Sequence, residues 1–351
     1  MKYLNIFLVF IPLSLFVEYY QVNESLTFIC ACLAIVPLAI IISNSTEQIA
    51  VYTGSKVGGL LNATMGNIPE FFIGLFAVQA GMYKLVLASM AGSIIGNLLL
   101  VLGVSTFLGG IVHSTQTFDK NVARSNFSLL CFAAISLIVP LAFKLTHSNS
   151  DKLEQGLTVL SFAIALILLI IYILGLTFSL IAQKNLFLEH DTAGNGKEAK
   201  WPLHYAIAVL ALASFFVAME SELLISKVEV AVRELKLPEL FIGIILVPIL
   251  GNGAEYTTAV LMAIHNKIDI SVEIAVGSSM QIAMFVAPIL VLFSFALGNP
   301  LIYVYEPFEV IALLTAILLS LYVFQDGKTY WLEGALLTFT YIIFCVAFFF
   351  Q

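Results

Sequence analysis

Charge is what this sequence has least of: only 11% of its 351 residues are Asp, Glu, Lys or Arg, for a formal net charge of −7. Soluble domains carry about 25%, so a water-facing exterior around this much apolar surface is excluded. No block is rich in Lys or Arg, which excludes nucleic acid as a partner. Cysteine is equally scarce. Cys30, Cys32, Cys131 and Cys345 all lie in apolar stretches, and the spacing of the first two turns them to different faces of a helix. They read as buried free thiols, with no disulfide framework, metal cluster or resident cofactor. Aspartate is missing from every long apolar run, which removes the paired-aspartate chemistry of intramembrane proteases. There is also no polar stretch long enough for a soluble domain. The longest interruption runs from Lys184 to Pro202.

What remains is 61% hydrophobic, with a mean hydropathy of +1.04. Each membrane-spanning helix needs about 20 apolar residues. Apolar runs near 3–20, 26–45, 57–80, 85–110, 125–145, 155–183, 203–225, 239–264, 270–297, 303–324 and 330–350 predict eleven spans. Met1 to Val17 is like a signal peptide but has no small-x-small cleavage site, so a retained first helix is expected. The predicted fold is an all-α polytopic membrane protein. It comprises an N-terminal helix (1–22), a first five-helix repeat (23–183), a cytoplasmic linker (184–202) and a second five-helix repeat (203–351). With the N-terminus inside, nine Lys and Arg fall on the cytoplasmic side (Lys2, Lys56, Lys120, Arg124, Lys184, Lys197, Lys200, Lys267, Lys328) and six opposite (Lys84, Lys144, Lys152, Lys227, Arg233, Lys236). That bias predicts a cytoplasmic N-terminus.

The two halves are related. Shifted by 185 residues, Gly58–Ser93 lies over Gly243–Ser278 without a gap, matching Gly66, Asn67 and Glu70 to Gly251, Asn252 and Glu255, and Gly92 and Ser93 to Gly277 and Ser278. Five predicted crossings separate the motifs, so the copies run oppositely through the bilayer. Inverted repeats of this kind place a transport site near the midplane. A carboxylate there costs about 2.5–3.5 kcal/mol on insertion scales, so two need compensation. Pro69 and Pro248 are expected to break the helices and free carbonyls. Those carbonyls, with the Asn67 and Asn252 oxygens and the Glu70 and Glu255 carboxylates, form an all-oxygen set suited to a hard cation such as Ca²⁺. Because two buried carboxylates must be neutralised, one divalent cation or protons would serve in turn.

Ser93, Asn97, Ser278 and Gln281 are the supporting candidates. For the glycines, close helix packing is an equal reading. Glu47, Glu220, Glu222 and Glu229 either line an access funnel or lie at the interface, while Glu306 and Glu309 read as interfacial. His113, His147, His190, His204 and His265 read as solvated span-end or loop residues.

GGLLNATMGNIPE with GSIIGNLLLVLG, and GNGAEYTTAVLMAIHNK with VGSSMQIAMFVAP, resemble the two signature repeats of the calcium/proton exchanger (CAX) family of the cation/calcium exchanger superfamily. The close match covers roughly 47–110 and 222–288. The resemblance implies a multi-pass antiporter, in a plasma membrane of bacterial type, that exports cytosolic Ca²⁺ in exchange for protons. Its partners would be Ca²⁺ and H⁺ as substrates and the lipid bilayer, with a homo-oligomer compatible. It implies Glu70 and Glu255 as shared Ca²⁺ and proton ligands, supported by the Gly66 and Gly251 carbonyls, Asn67 and Asn252, with Ser278 and Gln281 matching the second repeat. Two features depart from the pattern. Tyr256 stands where many members have histidine, and the linker has no net acidity (Glu189, Asp191 and Glu198 against Lys184, Lys197 and Lys200).

Overall fold

Without water, a backbone satisfies its N–H and C=O groups in helices or closed barrels, and long apolar runs here become helices. The computed structural model describes residues 4–147, 152–182 and 200–351. Lys2 and the linker residues Lys184, Glu189, His190, Asp191, Lys197 and Glu198 lie outside the described residues.

A 3₁₀ turn (Leu4–Val9) leads into α1 (Phe10–Tyr19), followed by α2 (Glu24–Met65), α3 (Ile68–Gln79), α4 (Tyr83–His113), α5 (Lys120–Thr146) and α6 (Leu153–Ala182). The second half holds α7 (Leu203–Ser226), α8 (Val228–Leu235), α9 (Glu239–Gly251), α10 (Gly253–Ile264), α11 (Ile268–Ala296), α12 (Pro307–Val323) and α13 (Trp331–Phe349). Among the described residues, seven helices are long and apolar enough to cross a membrane, or eight if α9 and α10, bent by 63°, form one span; the 6–19 stretch, α3 and α12 are apolar but shorter.

The second span was expected to end near residue 45, yet α2 continues to Gly54 before turning. The polar run there does not stop the helix because Ser45 and Thr46 donate back to the Ile41 and Ser43 carbonyls, at 2.7 and 2.8 Å. Gly54 has φ 82° and ψ 166°, a conformation essentially reserved for glycine. α4 is central, with 94% of its apolar window buried, whereas α6, α7 and α13 bury only 28% and turn their apolar faces outward.

End contacts sort the connections into two groups. At one end Tyr52 donates to the Trp201 carbonyl (2.7 Å), Gln116 to the Ala263 carbonyl (2.8 Å), and β1 (Thr115–Thr117) pairs antiparallel with β2 (Lys328–Tyr330). At the other end Lys227 pairs with Glu18 (3.1 Å) and Tyr83 donates to the Asn299 carbonyl (2.7 Å). α4 and α10 therefore run toward the first end, and α3, which precedes Tyr83, runs toward the second.

The buried apolar residues form one large cluster, containing much of α4, α9, α11 and α12. A smaller one joins α2 (Leu38, Ile42, Ile49) to α7 (Ala206, Leu210, Ala213, Val217), with Ile11 of α1 against it.

Candidate functional site

Gly-Asn-x-x-Glu is, in the structure, a helix start. Asn67 (φ −96°, ψ 18°) and Asn252 (φ −89°, ψ 10°) are the residues before α3 and α10, and each glutamate lies in the first helical turn. Asn followed three residues later by Glu is a known helix-start pattern, and that signal locates the breaks better than proline did. Pro69 sits in the first turn of α3, where its fixed φ suits a helix start and its lost N–H costs nothing. Pro248 lies inside α9, one turn before the break. The expectation that the prolines make the breaks is thus corrected.

Neither asparagine caps its own helix with its side chain. Both reach into the other half. Asn67 Oδ1 accepts from Ser278 (3.1 Å) while its Nδ2 donates to Gln281 (2.7 Å). Asn252 Nδ2 meets Ser93 at 3.5 Å and donates to the Pro248 carbonyl at 3.1 Å. The 185-residue match therefore pairs Asn67 with Ser278 and Asn252 with Ser93, partner for partner.

Glu70 is 0% exposed, and neither carboxylate oxygen has a hydrogen-bond partner. Glu255 and Asn252 lie within electrostatic reach of it, and Ser278 is beside Glu255. Glu255 Oε2 and Asn252 Oδ1 are also buried and unpartnered. Among the described residues neither glutamate forms an ion pair. The helix starts offer some compensation, since backbone N–H groups favour negative charge there. That does not offset two buried carboxylates. The remaining lone pairs are all oxygen, the donor type hard divalent cations take. No group of three or more His, Cys, Asp or Glu suited to a metal occurs among the described residues, so any cation here would be held by two carboxylates and neutral oxygens.

Glycines admit the carboxylate. A Cβ on Gly251 would overlap Glu70 Oε1 and stand 2.7 Å from Cδ. Gly66 lies immediately before Asn67 at the break and is half-buried. Gly92 packs against the backbone of Ile244, bringing α4 onto α9. Asn97 stands apart: it lies on the π-helical turn Gly96–Val101 within α4, buried, with both amide atoms unpartnered. α11 carries a matching π turn at Ile282–Val286.

Other sequence candidates separate. Glu220 is buried and accepts from Ser14 of α1 (2.7 Å), neither an interfacial nor a solvated residue. Glu309, in the first turn of α12, is buried too, and its Oε2 accepts the Glu306 N–H at 2.8 Å in a capping box. His113 is bonded to the Ile264 carbonyl at 2.7 Å. Tyr256, which departs from the family pattern, has its hydroxyl buried beside the glutamates.

A family model described as sodium/calcium exchanger protein matches residues 24–181 and 205–350. The Ca²⁺/H⁺ antiporter of Synechocystis sp. is 41% identical, covering 100% of this chain and 98% of its own length. The Ca²⁺/H⁺ antiporter ChaA of Bacillus subtilis is 39% identical over 97% and 96%. Among solved structures, native YfkE superposes with a TM-score of 0.85 at 36% identity, covering 99% of this chain and 100% of the other. The H⁺/Ca²⁺ exchanger CAX shares the fold at a TM-score of 0.73 and 14% identity.

Proposed function

We propose that this chain, which belongs to the sodium/calcium exchanger protein family, is a Ca²⁺/H⁺ antiporter, exporting Ca²⁺ by alternating access. Glu70 and Glu255 bind one Ca²⁺ or protons in turn. The carrying observation is the pair of glutamates in reach of each other at two oppositely directed helix starts, with buried oxygens lacking protein partners. Asn67, Asn252, Ser93, Ser278 and Gln281 hold the helix starts together, and the Gly66 and Gly251 carbonyls complete the oxygen set. Empty, the site leaves buried charge uncompensated; with Ca²⁺ or two protons it is neutral. That difference favours exchange over leak.

The layout is read as eleven spans, counting the shorter helices with the long ones: an N-terminal helix (1–22), then inverted repeats 23–183 and 203–351 joined by the 184–202 linker. Support comes from the opposite directions of α3 and α10, and from the end contacts, each of which joins loops on the same side in that count. Alternating access is supported by an asymmetry between the halves. Gly92 is pressed on Ile244, while its match Gly277 has no described atom within 4 Å of a built Cβ. Glu70 is sealed, whereas Glu255 is half-buried and exposed Glu273 lies one turn from Gly277 along α11. The approach is therefore from the end bearing Trp201 and β2, assigned here to the cytoplasm.

Purified protein in liposomes tests this. A pH gradient without Na⁺ should drive ⁴⁵Ca²⁺ uptake, and Glu70→Gln and Glu255→Gln should each reduce it to background. Protons compete for the same oxygens, so apparent Ca²⁺ affinity should fall as pH falls, by up to roughly a hundredfold per pH unit for two protons. Uptake retained by both glutamine variants, or driven only by Na⁺, would overturn the reading.

A further inference from the structure

α1 buries only Ser14 and Val17. Ser14 is 0% exposed, and its hydroxyl lies 2.7 Å from Glu220 Oε1 on α7 and 2.8 Å from the Ile11 carbonyl of its own helix. Glu220 is 1% exposed, and its Oε2 is buried without a partner. Glu220 lies far along the chain from every residue of the cation site. Nearer the second end, Glu18 of α1 reaches Lys227, just past α7, so two polar contacts join these helices.

The inner contacts do not balance on one proton. A serine hydroxyl donates once, while a carbonyl and an ionised carboxylate only accept. With Glu220 ionised, Ser14 serves one of the two, and a carboxylate with a bare oxygen is buried, which is costly. With Glu220 protonated, its O–H donates to Ser14, and Ser14 donates one turn back to Ile11, a common serine bond. Both contacts are then served and no charge is buried. The surroundings offer the ionised form little. Lys227 is engaged by Glu18 and by Glu24 of α2, at 3.1 and 3.5 Å. The titratable neighbour from α2 is the Cys30 thiol, within electrostatic reach of Glu220. Glu222 on α7 and Glu229, Arg233 and Glu234 on α8 are exposed. α3, which packs on α7, has Glu70 at its start and no other charged residue.

We propose that Glu220 is a proton-binding site separate from the Glu70–Glu255 pair, whose proton latches α1 onto α7 and whose loss releases α1. On release the O–H electron pair stays on the carboxylate, and the proton passes to water at the second end, about 9 Å along α7. The docked arrangement needs the proton, so docking is complete at low pH and is lost as pH rises. α1 belongs to neither repeat, so the latch acts without touching the cation site and does not depend on which ion the protein carries.

Spin labels test this in the full chain, in lipid nanodiscs, with the native cysteines replaced. Labelled cysteines at Val9 and Leu212, 57% and 58% exposed, report the separation of α1 from α7. With Glu220 intact, the ratio of docked to released α1 should fall as pH rises, by up to about tenfold per unit for one proton. Glu220→Gln, whose amide donates to Ser14 at every pH, should stay docked throughout. Ser14→Ala should show the longer, released distance at every pH. A separation that ignores pH with Glu220 intact, or that responds equally in Glu220→Gln, overturns the proposal. So does Ser14→Ala protein that stays docked throughout or responds to pH unchanged, which keeps the test decisive if Glu220→Gln does not fold.

Discussion

Between the Gly251 backbone and the Glu70 carboxylate there is room for a hydrogen and nothing larger. Gly251→Ala should push the carboxylate away from Asn252 and weaken apparent Ca²⁺ affinity by about tenfold or more, roughly 1.4 kcal/mol, read from the Ca²⁺ dependence of uptake. Gly253→Ala is the control: its nearest neighbour, Val36 Cγ1, would be 3.4 Å away, an ordinary contact. An equal effect of both would show that helix propensity, not the carboxylate, decides. Glu70, Glu255, Asn67 and Asn252 stand out in the sequence because such residues are rare in apolar helices, and the structure sets them at the two helix starts. Which neighbours they bond was legible only in part, since Ser93 and Ser278 are 159 and 211 residues from their partners. The burial of the Tyr256 hydroxyl beside the glutamates is not legible in the sequence, because an aromatic ring in an apolar run looks like packing.

At the scale of the element, the helices were predicted from their apolar runs, and their irregularities were not. A π turn alters hydrogen bonding without changing composition, so nothing in GNLLLV or IAMFV announces one. The turn at Gly54 was hidden similarly, by hydroxyls that bond their own helix and carry it past a polar run. Gly54→Ala forces a side chain into a conformation costing about 1–3 kcal/mol. The expected outcome is a lower melting temperature in detergent, with Ca²⁺ stabilising the variant as it does wild type, because the site lies beyond the turn. An unchanged melting temperature would mean α2 re-forms without the turn.

Across the whole molecule, the repeat offset fixed which residues correspond, but not how the halves sit. Sidedness is directly testable. With the native cysteines replaced, single cysteines at Lys267 and Asp326 should react with an impermeant maleimide only from the cytoplasm. Those at Lys236 and Asn299 should react only from outside, because the end contacts divide the loops that way. Labelling of Lys267 and Asn299 from the same side would refute the inverted arrangement. The separation of the apolar core into a large cluster and a smaller α2–α7 cluster bears on how the protein comes apart. A chain with two apolar cores, to both of which α2 and α7 contribute, need not melt as a single cooperative unit. Its unfolding curve would then have no single midpoint, and one free energy of unfolding would describe neither core.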